Sequence, residues 1–158
     1  MGRKWRRQER HCKSNGVHSL AVSPRSPFYL PLTSSITRMA FAFEKLIVYQ
    51  KAMDFSDRVC ALTQTFPRGF YFLVDQLNRA ALSIAANIAE GNGRFTIRDR
   101  KNFFGIARGS VQECVPLLEL AKRRGLLQPD DHLKFKSDLE EIAKMLSGLI
   151  NGLDKRSA

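Results

Sequence analysis

From Met39 onward, apolar residues recur three or four positions apart, as in helices with one buried face; before Met39 the chain has no period. The first predicted helix runs from about Phe43 to Phe66, with Leu46, Ile47, Met53, Val59, Leu62 and Phe66 near one side, and Pro67, Arg68 and Gly69 stop it. A second helix, from about Tyr71 to Glu90, carries Leu73, Leu77, Ala81, Ile84 and Ile88 at spacings of four, four, three and four. Gly91 is placed as its C′ residue, because a left-handed backbone costs glycine nothing. Thr96, three residues before Asp99, resembles a capping box and opens a third helix from about Ile97 to Arg124 that ends at Gly125. Pro116, inside it, is expected to kink it. Pro129 at a first helical position, with Asp130 and Asp131 behind it, opens a fourth helix to about Leu153. Its stripe is Leu139, Ile142, Leu146, Leu149 and Leu153.

Alternating β-branched runs are nearly absent, so the reading is all-α: an antiparallel up-down-up-down four-helix bundle over residues 39 to 158. Residues 1 to 38 read separately, as a disordered basic tail or an upstream-start extension, with a transit peptide or a nucleic-acid-binding arm around Trp5 as sharper alternatives.

Charge shifts the picture toward polyanions. The formal net charge of the 158 residues is +11, and eight of the 26 Lys/Arg but only one of the 15 Asp/Glu lie in the first 38 residues. The helical part therefore keeps a modest positive excess. Cys12, Cys60 and Cys114 are too widely spaced for a disulfide framework or a zinc site, and a reducing, cytoplasmic setting is the default. Cys60 and Cys114 read as buried small hydrophobes. No apolar run approaches the roughly 18 residues of a membrane span.

Two polar rows stand out. On the second helix, Asp75, Arg79, Ser83, Asn87 and Glu90 follow at four, four, four and three residues. On the third, Arg94, Arg98, Lys101, Arg108 and Gln112 lie within about 40° of one line, opposite Phe103, Ala107, Val111, Cys114 and Leu118. This basic row is a solvated surface, a phosphate-binding stripe with Arg94, Arg98, Lys101 and Arg108 as the phosphate contacts, or a dock for a negatively charged partner protein. No catalytic residue is assigned: the three histidines are scattered, no Glu-x-x-His pair exists, and "EGNGR" lacks the strand and third glycine of a dinucleotide loop. No metal or cofactor is called for.

The strings "FEKLIVYQKAMDF", "QLNRAALSIAANIAEGNGR", "FFGIARGSVQEC" and "MLSGLINGL" cover much of residues 41 to 153. They resemble the four-helix-bundle protein family first noticed as reading frames within intervening sequences of bacterial large-subunit ribosomal RNA genes. The resemblance implies a small helical protein assembled as a ring-like homopentamer, without established enzymatic activity. That family is also similar to the accessory proteins of diversity-generating retroelements, basic pentameric barrels that bind nucleic acid and a reverse transcriptase. The leading expectation is thus a bacterial, non-catalytic oligomer associated with RNA or DNA. The alternatives are a scaffold or adaptor ring that binds a protein such as a reverse transcriptase, and an enzyme using Asn87, Glu90 and Arg94 on a nucleotide or phosphate. In the motif itself, Asn87 and Glu90 are expected to fix the corner between the second and third helices, with Gly91 and Gly93 turning the chain. On this view Glu90→Ala impairs folding or assembly, and Gly91→Val is strained by a positive φ.

Overall fold

The computed structural model describes residues 41–157, all helical or connecting, with no strand among them. The basic segment 1–38, Trp5 and the boundary at Met39 lie outside the described residues. A 3-10 turn, Ala42–Lys45, precedes α1 (Ile47–Thr63), α2 (Tyr71–Gly93), α3 (Ile97–Arg123) and α4 (Pro129–Ser157).

Side-chain pairings fix the directions. Ser56 Oγ donates to the carbonyl of Ala81 at 3.0 Å while Thr63 Oγ1 donates to Asn78 Oδ1 at 3.1 Å, so α2 descends as α1 rises. Ser83 pairs with Ser110 and Arg79 with Glu113, which runs α3 against α2. Lys101 with Asp154 and Glu119 with His132 do the same for α4 against α3. Each helix packs on the next, and α4 closes onto α1.

The α2 stripe is fully buried, with Leu73, Leu77, Ile84 and Ile88 at 0% exposure, and α4 buries Leu139, Ile142 and Leu146 the same way. The α1 stripe is corrected. Ile47 is 61% exposed and Met53 39%; the buried face is Val48, Ala52, Phe55, Ser56, Val59 and Thr63. The cause is angular: at about 100° per residue Ile47 and Met53, both inside α1, stand about 110° or more from the centre of that face, while Leu46, extended at φ −74° and ψ 120°, lies before the helix altogether. Cys60 is likewise corrected, being exposed, whereas Cys114 is buried. Burial, with the neighbouring Glu113 carboxylate adding to it, pushes the Cys114 thiol up to about 12.

The ends of α3 follow from local chemistry. Thr96 Oγ1 accepts the Asp99 backbone N–H at 3.0 Å and donates to Asp99 Oδ2 at 2.7 Å, holding the first turn. At the other end Gly125, at φ +70°, donates to the Lys122 carbonyl and Leu126 donates to that of Ala121, both at 2.9 Å. This is a Schellman motif, which satisfies carbonyls the helix leaves open. Between these ends α3 runs unbroken through the exposed Pro116.

Gly91 is the main correction. It is not a left-handed terminal residue but a buried residue inside α2, which continues to Gly93. A Cβ on Gly91 would lie 2.9 Å from Phe104 Cε1 and 3.0 Å from Phe103 Cβ. The glycine is there because α3 comes that close. Gly93 is the last helical residue rather than a left-handed turn, and the chain leaves α2 through Arg94, extended at φ −76° and ψ 142°.

Candidate nucleic-acid interface

The predicted basic row does not form one site; α3 distributes it over three surroundings. Arg94, just past the end of α2, donates to Glu90 one helical turn back, and its guanidinium sits 4.7 Å from the centre of the Phe103 ring. Lys101 donates to Asp154 on α4. It lines a recess at the start of α3 together with Arg98, Asp99 and Asn102, a space of about 600 Å³. Arg108 lies two turns further along.

Arg108 faces a groove between α3 and α4 of about 680 Å³. Gln112 stands beside it, and α4 contributes Lys144, Ser147, Gly148 and Asn151. Neither Arg108 nor Lys144 has a carboxylate partner among the described residues. The groove thus presents two unpaired cations, two side-chain amides and a hydroxyl. A guanidinium and an ammonium supply charge to phosphate oxygens, and the amides supply directional donors. Lys144 was missed in the sequence because it belongs to another helix, 36 residues from Arg108.

Two features keep the groove open. Gly148 on α4, in the groove's lining, would take a Cβ without meeting any atom within 4 Å. On this side the helices are also pinned at both ends, by Lys101 with Asp154 and by Glu119 with His132, whose Nε2 lies 3.3 Å from Glu119 Oε2. Glu119 accepts in addition from Lys122 and Arg123, and these hydrogen bonds hold its carboxyl down to about 2.

The motif residues of α2 face elsewhere. Asn87 Nδ2 donates to the Ser83 carbonyl at 2.7 Å and to Ser83 Oγ at 3.0 Å, and the Ser83 and Ser110 hydroxyls share a bond of 2.8 Å, which ties α2 to α3. Glu90 holds Arg94, but both side chains are about half exposed, so the pair contributes only a few tenths of a kcal/mol. Among the described residues no group of His, Cys, Asp and Glu has the arrangement of a metal site, and no helix is long and apolar enough to cross a membrane.

Comparison with known proteins agrees with this architecture. A crystal structure of a protein of unknown function from the S23 ribosomal protein family of Bacteroides thetaiotaomicron is similar over 66% of this chain and 98% of that one, at 26% identity and a TM-score of 0.62. No curated protein matches the chain. The family model described as 23S rRNA-intervening sequence protein matches residues 44–148, from within the 3-10 turn through α1, α2 and α3 to most of α4. The chain belongs to the 23S rRNA-intervening sequence protein family.

Proposed function

We propose that this protein is a non-catalytic, self-assembling helical bundle that binds RNA or DNA through the outer α3–α4 face. The observation that carries the reading is the open groove in which Arg108 and Lys144 stand unpaired beside Gln112, Ser147 and Asn151. Arg98 adds a third cation without a partner one recess away. Arg94 and Lys101 are demoted to secondary contacts, because binding phosphate through them first requires breaking the pairs with Glu90 and Asp154.

A single bundle with two or three phosphate contacts binds weakly; repetition multiplies the effect. In a homopentamer, the assembly that the sequence resemblance implies, the groove recurs five times, and linked sites raise avidity without new contacts. The non-catalytic part of the proposal is supported by Asn87 and Glu90, whose polar groups are engaged by their own helix and by Arg94 rather than aimed at a shared reacting centre.

The test is a binding titration of the full chain with duplex RNA, single-stranded RNA and DNA across a salt series. The expected log K falls linearly with log salt, by about 0.7 to 0.9 per phosphate contacted. Absence of binding at low salt, or affinity indifferent to salt, rejects the proposal.

A further inference from the structure

The outer face of α2 carries a second surface with different chemistry. At about 100° per residue, Asp75, Arg79, Leu82, Ala86 and Glu90 lie within about 40° of one line directed away from the core. All five are exposed, Leu82 at 58%, and Arg94 continues the line just beyond the helix. Read along the chain, the face runs acid, base, apolar, apolar, acid, base. Read backwards, every acid becomes a base and every base an acid, while the apolar centre is unchanged. Such a pattern is complementary to an antiparallel copy of itself.

We propose that α2 pairs with α2 of a second copy of this chain across a two-fold axis. One register satisfies the whole face: Leu82 lies opposite Ala86, Arg79 opposite Glu90, and Asp75 opposite Arg94, each to within one residue, or about 1.5 Å. The same register brings together the exposed aromatic side chains at the two ends. Tyr71 and Phe72 stand at the start of α2, and Phe95, at 102% exposure, stands just past its end. Space for the partner exists near the small residues Ala86, Ala89 and Gly93, which border a cavity of about 370 Å³ closed on one side by Phe43.

Charge selects this occupant over a polyanion. Asp75 and Glu90 repel phosphate, and the face as a whole has no net charge, so two basic chains can meet here without the repulsion their other faces impose. Asp75 has no partner among the described residues, whereas Arg79 donates to Glu113 and Arg94 to Glu90. Association supplies a cation to the carboxylate that lacks one. A two-fold contact of this kind is isologous and cannot itself close a five-membered ring. It is therefore independent of the pentamer proposed above: alone it gives two copies, and combined with the ring it gives ten.

Light-scattering mass of the full chain during size exclusion tests this, with circular dichroism to confirm that each variant is folded. The expected mass is an even multiple of the chain, halved in the double variant Leu82→Arg, Ala86→Arg. Asp75→Arg alone should raise the dissociation constant of the contact at least tenfold, and adding Arg94→Asp should restore it, because the exchanged charges face each other again. A mass of one or five chains overturns the two-fold contact, five doing so while supporting the ring. A mass of two supports the contact and removes the ring. If Asp75→Arg is without effect, or Arg94→Asp fails to rescue it, the register is wrong and the proposal falls.

Discussion

The two flanks of α3 are built from the same residue types to opposite ends. Toward α2, Gly91 lets Phe103 and Phe104 approach to within contact, Ser83 and Ser110 share a hydrogen bond, and Cys114 is fully buried. Toward α4, Gly148 has no atom within 4 Å of where a Cβ would stand, and Arg108 and Lys144 line an open groove. A glycine inside a helix costs about 1 kcal/mol relative to alanine wherever it stands. On the first flank that cost is offset by close packing; on the second nothing within the chain offsets it. The difference separates a surface that holds the fold from one left available for binding.

The largest effect should come from breaking the packed flank. Gly91→Val places a branched side chain where even one carbon lies 2.9 Å from Phe104, and should destabilise by about 3 kcal/mol or more. Chemical denaturation would show this as a lower midpoint; an unchanged midpoint means α2 and α3 are further apart than described. Next is the open flank: Arg108→Glu with Lys144→Glu should weaken nucleic-acid binding at least tenfold, about 1.4 kcal/mol, and lower the salt slope by about two, with the thermal midpoint nearly unmoved. A variant that melts early but still binds would reverse the roles of the two flanks.

Smaller changes sharpen the contrast. Gly105→Ala and Gly148→Ala should each stabilise the fold by about 0.5 to 1 kcal/mol, since neither new methyl meets another atom, whereas Gly91→Ala should destabilise it. Equal signs at all three positions would erase the distinction. The smallest effect belongs to Glu90→Ala, which removes a half-exposed pair with Arg94 and should cost below about 0.5 kcal/mol in a denaturant titration. A loss of 2 kcal/mol there would mean that Glu90 holds the corner more firmly than this one ion pair allows.

That last figure departs from what the motif suggests when read as a string. Leu73, Leu77, Ile84 and Ile88 declare the buried face of α2 because nothing interrupts their spacing. In α1 Ile47 and Met53 look like core residues by their apolar character, yet they stand about 110° or more around the helix from the centre of the face that holds Phe55 and Val59, and are exposed. Gly91 illustrates a deeper limit. Its importance is visible in the sequence, but the reason is a ring 13 residues away on another helix, and a glycine required by a neighbour is spelled like one required by its own φ. The same holds at the candidate site: the outward direction of Arg98 and Arg108 follows from helical period, whereas Arg94 lies outside both helices and the capture of Lys101 by Asp154 spans 53 positions and leaves no periodic trace.

The connectivity of the bundle also sets a sequence of events in time. Because each helix packs on the one that follows, most contacts form between adjacent stretches of chain, a topology associated with folding in microseconds to milliseconds. Synthesis is far slower: at about 5 to 20 residues per second, the 29 residues of α4 take roughly 1.5 to 6 seconds to emerge. For that interval α2 and α3 can already be paired while the side of α3 that packs on α4 is still uncovered. The seam between α4 and α1, edged by Lys51 with Glu141 and Arg58 with Asp138, joins stretches 80 to 90 positions apart and so carries the largest loop-closure cost in the bundle.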